Sequence, residues 1–174
     1  VRIGATARKL KMDDQIMKAA KTFALMFSFS AVGLCLMVVF SLAAFAATNL
    51  RLKDGISFVQ DTDNGFPIIA DKMDDVSIAQ GMPTLIFFGA AADLNTNRQA
   101  KRLVDLYKKV QDKVKVIVID VDHPVNSDAL KLIKTYYKGY IPLNVILDKT
   151  GKLSSSNSGE VETGELKSKL DRAM

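Results

Sequence analysis

The chain has 174 residues, with 24 Lys plus Arg against 19 Asp plus Glu, one histidine and one cysteine. That length suits one compact domain with a terminal extension. A single cysteine excludes a disulfide framework, and one histidine with no cysteine beside it cannot build a transition-metal centre, so no metal or cofactor is expected.

Residues 1–22 are a basic N-terminal segment, in which Arg2, Arg8, Lys9, Lys11, Lys18 and Lys21 face only Asp13 and Asp14. From Thr48 onward basic and acidic residues nearly balance. Basic charge placed ahead of an apolar run fits a membrane surface rather than nucleic acid, which is not expected as a partner. Residues 23–47, FALMFSFSAVGLCLMVVFSLAAFAA, carry no charge. As a helix they would be roughly 37 Å long, against a hydrocarbon core of about 30 Å, so they read as a transmembrane helix or a long signal peptide.

Ala44-Phe45-Ala46 has the small-x-small pattern of a signal-peptidase site, so cleavage after Ala46 is one outcome. The apolar stretch exceeds the usual signal core of about 7–15 residues, which favours a retained anchor. A start at Met12 or Met17 would make the remainder more signal-like. Both outcomes keep the basic N-terminus in the cytoplasm and export the C-terminal domain. The expected location is the cell membrane, single-pass with an extracytoplasmic domain, or the periplasm or exterior after cleavage. Cys35 lies within the run behind Leu34, where lipid attachment requires a small residue, and reads as a small apolar residue of the span.

Residues 48–63 are polar and read as a linker, with a short strand at Ile56–Val59. The domain is expected over 64–174. It opens with a turn cluster ending at Gly65, a strand or loop at Ile68-Ile69, and a short helix from Asp71 to Gln80 closed by Gly81. Thr84 to Phe88 is a continuous apolar run, as in a strand buried on both faces. A loop from Gly89 to Asn97 leads into a helix reaching about Asp112, whose apolar stripe is Ala100, Leu103, Val104, Tyr107 and Val110. Val114 to Val121 is a second buried strand, and Ser127, as N-cap, opens a helix to Tyr137. Leu143–Leu147 and Leu153–Ser156 flank a polar turn and form a hairpin. A helix from Glu165 to Ala173 turns Leu166 and Leu170 inward.

A βαβ unit followed by a ββα unit resembles the thioredoxin-like family, and four segments agree in order. TLIFFGA is similar to the strand entering the family's active-site loop, and VIVIDVDHP to the next strand and its exit. YKGYIPLNVIL resembles the Tyr-x-x-x-x-Pro segment, and SGEVETGELKSKL the closing helix. The resemblance spans roughly Ser77 to Met174. It implies an α/β three-layer sandwich with a mixed central sheet, preceded by the N-terminal transmembrane or signal helix, and a cis peptide at Ile141-Pro142.

The departures from the family fall on its chemistry. The two-cysteine motif aligns with Asp93-Leu94-Asn95-Thr96, the aromatic residue before it with Ala92, and the buried proton-transfer carboxylate with Phe87. Dithiol exchange needs one thiolate to attack and a second thiol to resolve. Three such positions lost together imply a thioredoxin-fold domain without the reaction. What the resemblance still implies is a shallow groove for an extended peptide, between Asp93, Leu94, Asn95 and Thr96 on one side and Ile141 and Pro142 on the other. The plainer reading is that the first four residues cap a helix and Pro142 serves a turn.

Other candidates are weaker. His123 sits in the loop after the second strand, scattered aspartates would hold only weak Ca²⁺, and Thr96 has no base to activate it. Asp148-Lys149-Thr150-Gly151 matches the phosphorylated-aspartate motif of P-type ion pumps, but a polar hairpin turn accounts for it. Three readings stay open. The favoured one is an exported module that binds an unidentified protein or extended peptide. The others are a divergent redox-system enzyme working with a partner's cysteines, and a structural domain of an envelope complex.

Overall fold

The computed structural model describes residues 49–111 and 113–174. The basic segment 1–22, the apolar run 23–47 and Cys35 lie outside the described residues. Among the described residues no helix is long and apolar enough to cross a membrane.

The elements run β1 (Arg51–Leu52), β2 (Ile68–Ile69), β3 (Thr84–Gly89), α1 (Leu94–Val110), β4 (Lys115–Asp120), α2 (Ser127–Tyr136), β5 (Leu143–Leu147), β6 (Leu153–Ser158) and α3 (Thr163–Ala173). Strands β1 and β2 pair antiparallel with each other, and the remaining four form a sheet in the order β4-β3-β5-β6. β3 and β4 run parallel, joined by the α1 crossover, while β3–β5 and β5–β6 are antiparallel. This is the mixed central sheet of a thioredoxin-like fold, with βαβ followed by ββα.

Alternation along β3 divides the core. Leu85 and Phe87 point to one face with Val116, Val118 and Ile146, under Leu103, Leu106 and Tyr107 of α1 and Leu166 and Leu170 of α3. Ile86 and Phe88 point to the other with Ile117, Ile119 and Val145, under Ala129 and Leu132 of α2. Phe88 stacks on Tyr137 at 6.4 Å between ring centroids. Each fully buried Leu, Ile or Phe contributes roughly 1.5–3 kcal/mol, and β3 offers four in a row, which explains its central position. At the opposite edge β6, Leu153-Ser154-Ser155-Ser156-Asn157-Ser158, is mostly exposed.

Several local expectations change in the folded chain. Residues 71–80 form turns rather than a helix, because Lys72 adopts φ +61°, which a right-handed helix does not admit. Asp75 is instead drawn to β4, where Lys115 Nζ lies 2.9 Å from its carboxylate. Burial alone would push the Asp75 pKa up, but hydrogen bonds from Ser77 and Lys115 outweigh it and hold the group down to about 2. The short strand lies at Arg51–Leu52 rather than Ile56–Val59. The α2 N-cap is Asn126, whose side chain accepts from the N–H groups of Asp128 and Ala129, rather than Ser127. α1 starts at Leu94, earlier than expected, because Asp93 caps it, and β6 continues to Ser158. The peptide bond Ile141-Pro142 is cis, as the resemblance implies.

Candidate functional site

Strand register fixes which loops share an end of the sheet. Gly89 pairs with Asp120, Phe88 with Leu143, and Leu143 with Ser158. The loops after β3 and β4, before β5 and after β6 therefore all leave from one end. Asp93–Thr96 and Ile141-Pro142 sit there, following β3 and preceding β5, which are adjacent strands. Tyr140 is 71% exposed beside the latter pair, while Pro142 is buried and its carbonyl accepts from Gly159 N–H at 2.7 Å.

On the β3 side the loop is tightly made. Asp93 takes an extended conformation, its carboxylate accepts from Thr96 N–H at 2.5 Å, and its carbonyl accepts from Asn97 N–H at 3.0 Å. An acceptor at the N-cap satisfies an otherwise orphaned helix N–H, and its negative charge suits the positive end of the helix dipole. Thr96 is wholly buried, and its Oγ1 accepts from Ala90 N–H at 3.4 Å. Ala92 between them has φ +62°, an uncommon conformation for a residue with a Cβ. Asp61, far back in the chain, accepts from Leu94 N–H at 2.8 Å. Leu94 is half-buried and Asn95 exposed, so Asn95 is the member of the four that faces solvent most openly.

No titratable group is buried beneath the loop at Phe87, which is fully buried 6.4 Å from the Phe66 ring. Its cross-strand neighbour Asn144 is 1% exposed, and neither amide atom has a hydrogen-bond partner among the described residues. Asn97 and Gln99 are also buried. Gln99 Oε1 accepts from Val161 N–H at 2.7 Å, whereas its Nε2 has no partner. Sequence reasoning missed these three amides. Gln99 could have been found, because it lies four residues before Leu103 and so extends the buried stripe of α1. Asn144 offered no such signal, standing alone among apolar neighbours.

Two flanking features complete this end. Arg102 donates to Glu160 and to Glu162, the latter at 2.9 Å, and Glu160 followed by Glu162 raises its pKa further. These pairs tie α1 to the β6–α3 connection. His123 is exposed, with Nδ1 3.3 Å from Asp120 Oδ2. Phe66, Ile68, Met73 and Val125 help line a cavity of about 180 Å³ next to them. Its polar lining is the Asp120–His123 pair alone, with no serine, threonine, cysteine or lysine in it. Asp148 accepts from Thr150 and Lys152 inside the β5–β6 turn, at the opposite end of the sheet, which accounts for that motif as a hairpin turn.

No protein-family model and no curated protein sequence matches the chain. Among solved structures it is similar to an uncharacterised thioredoxin-like protein from Clostridium perfringens, at 18% identity over 59% of this chain and 78% of that one, with a TM-score of 0.49. It is also similar to chloroplastic thioredoxin z, at 18% identity over 53% and 79%, TM-score 0.46. Mitochondrial thioredoxin 3 from Saccharomyces cerevisiae matches at 19% identity over 53% and 80%, TM-score 0.44. Strand order and register, rather than these likenesses, identify the fold.

Proposed function

We propose that this chain is an exported, membrane-anchored thioredoxin-like domain that performs no dithiol exchange and serves as a protein-binding or assembly module. The observation that carries the reading is the hydrogen bond from Thr96 N–H to the Asp93 carboxylate. The two positions that align with the family's cysteines are joined to each other as a helix cap. Neither side chain is a thiol, and the one cysteine of the chain lies in the apolar run. Without a thiolate there is no nucleophile for a disulfide, whatever the local pKa. The loop end of the sheet remains as a surface, with Asn95 and Tyr140 exposed on its two sides. Export and anchoring are supported by the uncharged run 23–47 behind a basic segment.

The reading is tested in two steps. The purified protein should fail to reduce insulin disulfides; turnover would end the non-redox assignment. A photo-crosslinking residue should then be placed in native membranes at Asn95, at Tyr140, or at Lys149 in the distant turn. Adducts at the first two positions and none at the third are expected. Equal labelling at all three, or none, would remove the loop end as a binding surface.

A further inference from the structure

Residues 53–67 leave β1 and return to β2, so their ends are held side by side by Arg51–Ile69 and Leu52–Ile68 pairing. The segment closes on itself: Asn64 Nδ2 donates to Gly55 O, and Lys53 Nζ to Asn64 O, both at 2.6 Å. Its length falls within the roughly 6–16 residues of compact Ω-loops, which are often functional. It is seated on α1 by contacts that all come from the helix. Leu94 N–H donates to the Asp61 carboxylate at 2.8 Å, Asn97 Nδ2 to Ser57 O at 3.0 Å, and Arg98 Nε to Phe58 O at 3.1 Å. Lys101 Nζ stands 5.4 Å from the Phe58 ring centroid. Val59, at the tip, is 83% exposed.

Asn97 indicates what this seat is for. It is 1% exposed, yet only its Nδ2 is used; its Oδ1 has no donor among the described residues. A side-chain amide presents an N–H and a C=O side by side, the complement of the C=O and N–H that one residue of an extended strand turns to the same side. The loop supplies the carbonyl and leaves the acceptor unmatched, which is unfavourable for a buried polar atom.

We propose that loop 53–67 is a lid occupying, with one hydrogen bond to Asn97, the place that an extended peptide takes with two. Engagement of a partner at the first turns of α1 then requires the lid to lift, freeing Leu94 N–H, the Asn97 amide and Arg98. Asn97 reads the peptide backbone, so selectivity lies in extended conformation more than in side-chain identity. This rests on the binding-module reading and names the geometry of its ligand. The outer part of the loop can open alone because it is seated by a few hydrogen bonds and the Phe58 ring, whereas Phe66 and Pro67 stay packed at its base and α1 is held by the core.

Amide hydrogen exchange on the full chain reads the lid without any partner. Asp61→Ala combined with Phe58→Ala should speed exchange over 53–67 and at 94–98 together by about tenfold, the effect of losing a hydrogen bond to a charged group. Exchange in β3 and β4 should stay at the parent rate, which also verifies folding. No change at 94–98, or loop exchange in the parent as slow as that of β3, overturns the lid. A second arm pairs Asp61→Cys with Leu94→Cys in a Cys35→Ser background and measures crosslinking at Asn95 before and after reductant. Crosslinking that is lost on oxidation and regained on reduction supports the lid, and crosslinking indifferent to the lock refutes it. Absence of crosslinking in the parent refutes instead the binding surface on which the proposal stands.

Discussion

Gly89 and Thr96 make the most direct test of how the β3–α1 loop is built. A Cβ added at Gly89 would lie 2.5 Å from Thr96 Cγ2 and 3.2 Å from Phe87 Cζ. Both neighbours are fully buried, so neither can swing into solvent. Gly89→Ala should therefore cost about 1–3 kcal/mol, the range for overpacking a well-filled site. Thr96→Ser removes only the offending methyl and should cost about 1 kcal/mol, since one buried CH₂ is worth roughly 0.8. In the double variant the clash is gone, and the total should stay near the Thr96→Ser value. The favourable coupling is then about 1–3 kcal/mol, well above the roughly 0.3–0.5 kcal/mol scatter of independent sites. Urea unfolding of the four proteins measures it, with unchanged m-values confirming comparable transitions. Strict additivity would refute the claim that Thr96 dictates glycine at position 89.

Asp93→Cys with Thr96→Cys in a Cys35→Ser background should form an internal disulfide, since the Asp93 side chain already reaches forward to the backbone N–H of Thr96; its oxidised form should be about 2 kcal/mol more stable than its reduced form in urea, as expected for so short a closed loop. Failure to oxidise would show that these positions do not have the spacing of the family's cysteine pair. The Asp75 carboxyl, at about 2 in the folded protein against an ordinary 3.8, contributes stability that is complete above that ordinary value and is lost as pH falls through about 2. With its side chain 33% exposed, the contribution should be no more than about 1 kcal/mol, and Asp75→Asn should flatten the urea midpoint between pH 5 and pH 2. Reporter fusions after Met174 should be active only outside the cytoplasm, and Lys18→Glu with Lys21→Glu should reduce that activity; a reporter active inside in the unaltered protein would refute export.

What was legible in the sequence was whatever leaves a periodic trace. The α1 stripe from Ala100 to Val110 and the unbroken run of β3 announce themselves, because burial on one helix face or both sheet faces repeats along the chain. The cap at Asp93 was legible for a local reason, since an Asp three residues before its N–H partner is a short-range bond. Loop 53–67 was not. Its contacts join residues 33 and 40 positions apart, and side chains reaching for backbone carbonyls impose no pattern on the sequence that supplies those carbonyls. The same holds for residues 71–80, where the ion pair of Asp75 with Lys115 and the conformation of Lys72 override a helix-compatible composition.

The outer edge of β6 carries a further consequence. A strand with one unpaired side is a template for another strand, and proteins commonly guard such edges with lysine or another charge. Here the guard is four serines and an asparagine, with no charge between Leu153 and Ser158. Charge repulsion fades with ionic strength over a Debye length of about 8–10 Å, whereas hydration of hydroxyl groups does not depend on that screening. Among the described residues this edge has no charge to repel a second strand, so its guard is the hydration of the exposed hydroxyls of Ser154, Ser156 and Ser158. That makes its protection indifferent to the salt around it and dependent on the hydroxyls remaining in water.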